Sequence, residues 1–329
     1  MKLQNSFYSK YVHFDYYSLL NKNLKKAEMR ILSEIKYFGL NKNFLKNKNV
    51  IDIGSGLQSL AFNKLGCKTI YHFDIDKKNI RKFKALCKKK GIKNIHSFCI
   101  DLSKEKINNF INDEIHLIFC CGIINHVNKL NFFFRTLFSQ LSNQGYFYLR
   151  FYNCNSLTRQ WNAFLRKYFS NSVKLNQIKY YLDKRFSKLI KNRFLNDFYD
   201  DLYVSIWKCF DKNHIKFCFS TNSTNINTLL EENKFDENSR LLFRKRNNSP
   251  IKKVKYLNDF KMSNLFKQNC PELYKNYKNL RYFFQTKNDK YFFLFNSYFF
   301  VRDLLTKNKK ISLRLDKILI YNNYRKIKL

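Results

Sequence analysis

Asn49–Gly56, reading NVIDIGSG, and Asp74 about twenty positions later constrain this chain more than any other stretch. Val50, Ile51 and Ile53 form a short β-branched apolar run, the mark of a buried strand. Gly54 and Gly56 permit a tight turn and close backbone approach, and Leu57–Leu65 reads as a helix leaving that turn. A second apolar run, Thr69–Phe73, closes on an acid. Strand, glycine turn, helix, strand and terminal carboxylate together suit a nucleoside cofactor. Backbone amides line such a turn, and the acid accepts the ribose hydroxyls.

A glycine pair alone is a weak signal, and the dinucleotide pattern G-x-G-x-x-G is absent. The order of the elements after Asp74 says more. Asn94–Ile100 is a third strand candidate with Asp101 just beyond it, and Ile115–Cys121 is a fourth, running into Gly122-Ile-Ile-Asn-His126. Asn131–Leu141 reads as a helix and Gly145–Phe151 as a fifth strand. This succession resembles the class I S-adenosylmethionine-dependent methyltransferases over about residues 49–151, and more loosely to 246. The family's D-x-G-x-G corresponds to Asp52, Gly54 and Gly56, and its acid after the second strand to Asp74. Its acid after the third strand corresponds to Asp101, and its G-V-L-H-H-like segment to Gly122–Val127. Gln58 stands where the loop commonly has a third glycine, and Ile115-His116 where the fourth strand often opens with an acid.

The resemblance implies an α/β fold: a Rossmann-like, mostly parallel seven-stranded sheet with helices on both faces, plus a helical insertion and a C-terminal extension. It implies S-adenosyl-L-methionine as cofactor, held by Asp52, Gly54, Ser55, Gly56, Asp74, Ile75, Asp101, Leu102 and Gly122. Asp74 would take the ribose hydroxyls and Asp101 the adenine amino group, with Ile75 and Leu102 on the two faces of the ring. His126 is the candidate base by position and intrinsic pKa, with Asn125 as an orienting hydrogen-bond partner; the alternative is that His126 only packs or caps the next helix.

Composition bounds the rest. Hydrophobic residues make up 45% of the 329, enough for a sizeable core, and no apolar run reaches the length of a membrane span. The start, MKLQNSFYSKY, has no secretory apolar segment, so a cytoplasmic location is expected. Nine cysteines lack C-x-x-C spacing and six histidines are dispersed, which points to reduced core thiols and no metal site. The net charge of +39 attracts anions of any kind. Lys, Asn, Ile, Phe and Tyr share A/T-rich codons, however, and Gly (7) and Pro (2) are scarce, so nucleotide bias alone accounts for such a balance.

Residues 1–48 read as an N-terminal helical cap, in which Leu24–Leu40 places Ala27, Ile31, Ile35 and Phe38 on one face, packing on the sheet rather than closing the site. Residues 49–246 form the catalytic domain, with 153–213 a helical insertion on the substrate side. Within it Ser156–Tyr168 and Leu175–Phe198 read as helices, and Asp200 and Asp201 as solvated or capping acids at a helix end. His214–Phe235 is similar to the family's late strand-and-helix segment, and Ser239–Lys245 reads as the closing strand. Residues 251–329 are an extension rich in Lys, Tyr and Phe, expected to be mixed helices. The acceptor expected is a small molecule, sugar or lipid-linked group methylated at O or N; a nucleic acid is the alternative, not favoured because no binding motif accompanies the charge. A cofactor-binding scaffold without turnover and a Rossmann dehydrogenase are the remaining readings.

Overall fold

The computed structural model describes residues 22–54, 56–169, 192–225 and 237–280, together with Gln177, Tyr180, Leu294 and Tyr298. The strands are β1 (Asn49–Ile53), β2 (Thr69–Asp74), β3 (Ile95–Cys99), β4 (Ile115–Cys121), β5 (Leu141–Tyr152), β6 (Ser223–Asn225) and β7 (Asn238–Lys245). They form one seven-stranded sheet in the order β3-β2-β1-β4-β5-β7-β6. Strands β1 to β5 run parallel, and β7 returns antiparallel between β5 and β6.

Alternation along each strand divides the core into two layers. Val50, Leu117, Phe119, Tyr148 and Leu242 point to one face, where they meet α1 (Lys22–Tyr37), α2 (Leu57–Lys64) and α3 (Lys77–Lys89). Ile51, Ile53, Ile118, Cys120, Phe147, Leu149, Leu241 and Phe243 point to the other, against α4 (Leu130–Gln140) and α7 (Lys212–Phe219). In α1 the buried residues Leu24, Ala27, Ile31, Ile35 and Phe38 recur at helical spacing, so this helix is a layer of the sheet. The phenyl of Phe119 stacks on Tyr148 at 4.4 Å, and Phe219 on Phe243 at 4.7 Å.

Two local expectations change. The fifth strand does not wait for Gly145 but starts at Leu141, directly after α4. The pairing steps from Ile115 with Leu141 to Leu117 with Tyr146, so the surplus residues of β5 form a bulge, with Gln144 in the left-handed region at φ 67°. A side chain at Gly145 would strike Leu141 and Ser142 within 2.9 Å, so its glycine serves this fold-back and not a helix end. Further on, His214–Phe219 lies inside α7, because Ile215, Cys218 and Phe219 bury one helical face and Asp211 caps the helix through the His214 amide at 2.8 Å. The next strand is only Ser223–Asn225, and the helix expected before Phe235 lies outside the described residues. The insertion contains α5 (Leu157–Phe169) and α6 (Asn192–Tyr203), while the helix expected over 175–198 lies mostly outside the described residues.

The stretch after β7 is joined to the same body. Val254 enters the sheet's core, and α8 (Asp259–Asn269) lies on α5, with Phe266 against Trp161 and Phe164, each at 5.4 Å. Arg166 Nε donates to Asp259 Oδ2 at 2.9 Å across the same contact. A further helix is α9 (Pro271–Leu280). Removing the fully buried Phe266 ring leaves a cavity between two helices and is expected to cost about 3–5 kcal/mol. Urea unfolding of Phe266→Ala reads this directly; a loss near zero would mean that α8 is not part of the domain's cooperative unit.

Candidate active site at the carboxyl edge of the sheet

The parallel register puts the conspicuous residues side by side. Ile53 pairs with Phe73, so Gly54 comes level with Asp74, and the Gly54 amide donates to the Phe73 carbonyl at 3.0 Å. On the other flank Ile53 pairs with Cys120, which brings Gly122 to the same edge. Asp74 pairs with Cys99, so Asp101 emerges two residues further along β3's path. Gly54 and Gly56 have φ values of 133° and 84°, in the region that side chains avoid. A Cβ on Gly56 would meet the Phe83 ring at 2.8 Å and His72 at 3.0 Å, so this glycine is fixed by packing of the turn on its own protein. A Cβ on Gly54 would lie 3.3 Å from Ile123 Cδ1, on the segment leaving β4. Ser55, between the two, lies outside the described residues.

His72 braces this turn, although no motif in the sequence singles it out. Its Nε2 lies 2.7 Å from the Gly54 carbonyl and its Nδ1 3.1 Å from Ser97 Oγ. A carbonyl only accepts, so Nε2 carries the proton and the Ser97 hydroxyl donates to Nδ1. Burial lowers the His72 pKa to about 4, and the ring stays neutral. Asp52, paired with His72 in the register, is buried and accepts the Ser59 hydroxyl at 2.5 Å. Burial pushes its carboxyl up to about 7, against the opposing pull of the Ser59 side chain and amide. Its hydrogen bond ties β1 to α2.

Asp74 is half-buried and accepts the Asp76 amide at 2.9 Å. Burial raises its pKa to about 7, with its backbone contacts opposing and the nearby Asp76 charge assisting. Asp76 itself caps α3, accepting the Lys78 amide at 2.8 Å. Beyond β3, Asp101 Oδ1 accepts both the amide (3.0 Å) and hydroxyl (2.7 Å) of Ser103, and Lys104 lies 3.9 Å from its other oxygen. This carboxylate therefore already organises its own turn. Leu102 is buried in the core with Ile107 and Ile111, whereas Ile75 is partly exposed beside Asp74.

At the mouth of β4 and β5 a second group assembles. Asn125 and His126 sit in a short 3-10 turn, Ile124–His126. Asn125 is fully buried, its Nδ2 donating to the Lys208 carbonyl at 2.8 Å, which makes it a tether between this turn and the insertion. His126 Nδ1 lies 2.8 Å from the Ile206 carbonyl, and Nε2 lies 3.4 Å from Tyr152 Oη and 3.8 Å from Asp200 Oδ2. Tyr152 Oη also donates to Asp200 Oδ2 at 3.2 Å. Behind it the Arg159 guanidinium lies 3.7 Å over the Tyr152 ring and bonds Asp201 Oδ1 at 2.6 Å. The expectation that Asp200 and Asp201 are solvated or capping acids is corrected: both lie in the last turn of α6, Asp201 is buried and ion-paired, and Asp200 faces Tyr152. The paired acids and the aromatic at the end of β5 were visible in the sequence; Arg159, 42 positions from Asp201, was not.

Among the described residues no group of three or more His, Cys, Asp or Glu side chains is arranged for a metal ion, and no helix is long and apolar enough to cross a membrane. Seven cysteines are buried, while Cys99 is exposed and Cys121 partly so.

Residues 44–204 match the family model described as a methyltransferase domain. Over this stretch, just under half of the chain, the protein is similar to methyltransferase domains. No curated protein matches the sequence. Among solved structures, PKMT2 from Rickettsia typhi is 18% identical with a TM-score of 0.45, over 70% of this chain and 54% of that one. A methyltransferase from Mesorhizobium loti is 18% identical with a TM-score of 0.34, over 42% of this chain and 60% of its own. The YcgJ protein from Bacillus subtilis is 17% identical with a TM-score of 0.32, over 39% and 51%. The chain thus spans between about half and three fifths of the length of these structures. The methyltransferase family's cofactor, S-adenosylmethionine, presents a ribose diol and an adenine. The half-buried Asp74 carboxylate, level with a left-handed glycine turn, fits the diol.

The buried ionisable pair makes opposite contributions to stability. Asp52 titrates near 3.8 when unfolded and near 7 when folded, so its ionisation costs stability as pH rises through that window. His72, lowered from 6.5 to about 4, costs stability as pH falls through its own window. Asp52→Asn removes the first contribution alone. Relative to wild type, this variant is expected to gain on the order of 4 kcal/mol between pH 4 and pH 8. Denaturant midpoints at the two pH values measure it, and a difference that does not change with pH contradicts the assignment.

Proposed function

We propose that the chain is an S-adenosylmethionine-dependent methyltransferase acting on an oxygen or nitrogen atom of a small-molecule, sugar or lipid-linked acceptor. One observation carries the cofactor part: the glycine turn after β1 and the Asp74 carboxylate after β2 stand level at the same sheet edge. In this reading Asp74 accepts the ribose hydroxyls, and Gly54, Ser55 and Gly56 with Gly122 offer close backbone approach to the methionine portion. Asp52 acts by fixing the strand to α2. Ile75 and Leu102 flank the adenine, with Asp101 at its amino group through the oxygen that Ser103 leaves to Lys104. When bound, the sulfonium supplies an electrophilic methyl group, which the acceptor's lone pair takes as the carbon–sulfur bond breaks and a neutral thioether leaves.

What the protein must do is hold two reactants in line and keep water out. The insertion provides that cover, since Asn125, His126 and Lys208 knit the end of β4 to the segment after α6; Lys208 Nζ donates to the Val127 carbonyl at 2.6 Å. One observation favours a nucleic-acid acceptor instead. Along α3, Lys77, Lys78, Arg81, Lys82, Lys84, Lys88 and Lys89 are all exposed and no acid lies among them, a face suited to a phosphate backbone.

Calorimetry with S-adenosylmethionine tests the cofactor site. Asp74→Ala is expected to weaken binding by about 2 kcal/mol, the scale of lost charge-assisted hydrogen bonds. Unchanged affinity would remove Asp74 from the site. Incubation with methyl-labelled cofactor and fractionated cell extract then identifies the acceptor: label in the metabolite, sugar or lipid fraction supports the main reading, and label in RNA or DNA the other.

A further inference from the structure

Cys121 of β4 pairs with Arg150 of β5, which pairs in turn with Arg240 of β7. Paired residues project from the same face of a sheet, so the thiol and the two guanidiniums form one row. Tyr148 and Leu242 make the next row on that face, in the layer covered by α1. This helix closes over the arginines with Arg30, Glu34 and Tyr37, three residues at helical spacing. Arg30 Nη2 donates to Cys121 Sγ at 2.9 Å, and the Arg150 side chain bonds the same sulfur. Arg240 lies 3.9 Å over the Tyr37 ring and 3.7 Å from Glu34 Oε2.

The cluster is short of acceptors. Three guanidiniums stand against the one carboxylate of Glu34, an excess of two positive charges. Among the described residues neither Arg30 nor Arg150 is ion-paired with an acid, and the thiol sulfur they share is a weak acceptor. The Tyr148 hydroxyl, buried with Arg30, Arg150 and Glu34 around it, has no hydrogen-bond partner. Burial raises its pKa well above the ordinary value, so it stays a donor. The row is open to solvent, since Arg30 is exposed and Cys121, Arg150 and Arg240 are half-buried. It also lies where an acceptor would be held. Cys121 directly precedes Gly122 at the cofactor edge, and Tyr152 follows Arg150 by two residues on the same face, at the mouth of β4 and β5. Arg150 is two strands from β1, about 10 Å at the usual strand spacing, and Arg240 is three, about 14 Å. The row thus flanks the glycine turn on the side away from Asp74.

We propose that Arg150 and Arg240, with Arg30 above them, bind an oxyanion of the methyl acceptor, which is therefore an anionic small molecule or lipid carrying a carboxylate or phosphate. This rests on the function proposed above and narrows its acceptor. Guanidiniums present planar, paired donors that match the oxygens of either group, and they keep their charge at any working pH. The bound oxyanion takes the donors that now turn to sulfur and offsets the positive excess. It anchors the acceptor on β5 and β7 while the group to be methylated reaches back towards β1 and β4.

Two measurements test it, one of them without the acceptor. Iodoacetate and iodoacetamide alkylate thiols alike, but only the first carries a carboxylate. Cys121 reports from inside the row, and Cys99, exposed near Asp74 and Asp76, serves as reference. By peptide mass spectrometry, the iodoacetate-to-iodoacetamide labelling ratio is expected to be about tenfold higher at Cys121 than at Cys99, the scale of one charge-assisted hydrogen bond. Inorganic phosphate, Arg150→Gln and Arg240→Gln are each expected to lower that ratio. In transfer of labelled methyl to the active extract fraction, both variants are expected to raise the acceptor KM about tenfold and to bind S-adenosylmethionine within about twofold of wild type. The acceptor is expected to be retained on an anion exchanger at neutral pH; release at about pH 2 identifies a carboxylate, and retention there a phosphate. Equal ratios at the two cysteines, no label at Cys121 from either reagent, an acceptor that flows through the exchanger, or an unchanged KM in both variants overturns this inference alone. Lost cofactor affinity in both variants also overturns it, by assigning the row to the cofactor's own carboxylate. A wild type that binds no S-adenosylmethionine overturns the proposed function.

Discussion

The parallel pairing of Ile53 with Phe73 is the constraint on which the rest of the site depends. It sets a turn that only glycine can make beside a carboxylate that only a buried strand end could present. A slip of one residue would exchange the faces of β1, sending Val50 to the wrong layer and the turn away from Asp74. The register is fixed from both sides. Asp52 bonds Ser59 on the following helix, and His72 reaches from β2 to the Gly54 carbonyl. Each of these buried groups costs stability only in the pH window where burial keeps it uncharged, Asp52 as pH rises and His72 as pH falls, and both brace the segment around the turn.

A second set of ties joins the end of β4 to the insertion. Asn125, His126 and Lys208 all bond main-chain carbonyls across that boundary, so position is set by backbone and not by mobile side-chain pairs. Behind them Arg159 and Asp201 form a buried ion pair, which contributes little net stability but is costly to break on one side. Its value lies in geometry: it presses a cation on Tyr152 and so fixes the hydroxyl that His126 and Asp200 share. The route from sheet to α8 passes through the same helix α5, which places Trp161 and Phe164 against Phe266.

Much of the fold was legible because strand residues here are buried on both faces and read as short β-branched runs between glycine turns. The positions of Asp52, Gly54, Gly56 and Asp74 emerged from the same pattern, as did the face of α1. The illegible part came from contacts distant in sequence. His72 looked like one more residue of a strand, and only the bond to Gly54, 18 positions away, gives it a role. The acids Asp200 and Asp201 carried a signal, but a pair of acids at a helix end is usually solvated, and only Arg159 and Tyr152 turn them inward. The fifth strand's start was missed because Gly145 suggested a break where the chain in fact bulges and continues.

Crystallography of the protein soaked with S-adenosylhomocysteine decides whether the sheet edge holds the cofactor. A nucleoside is expected there, with its ribose hydroxyls on the Asp74 carboxylate and its amino-acid end over the Gly54–Gly56 turn. A nucleoside bound elsewhere on the chain, or none at millimolar concentration, would contradict that placement.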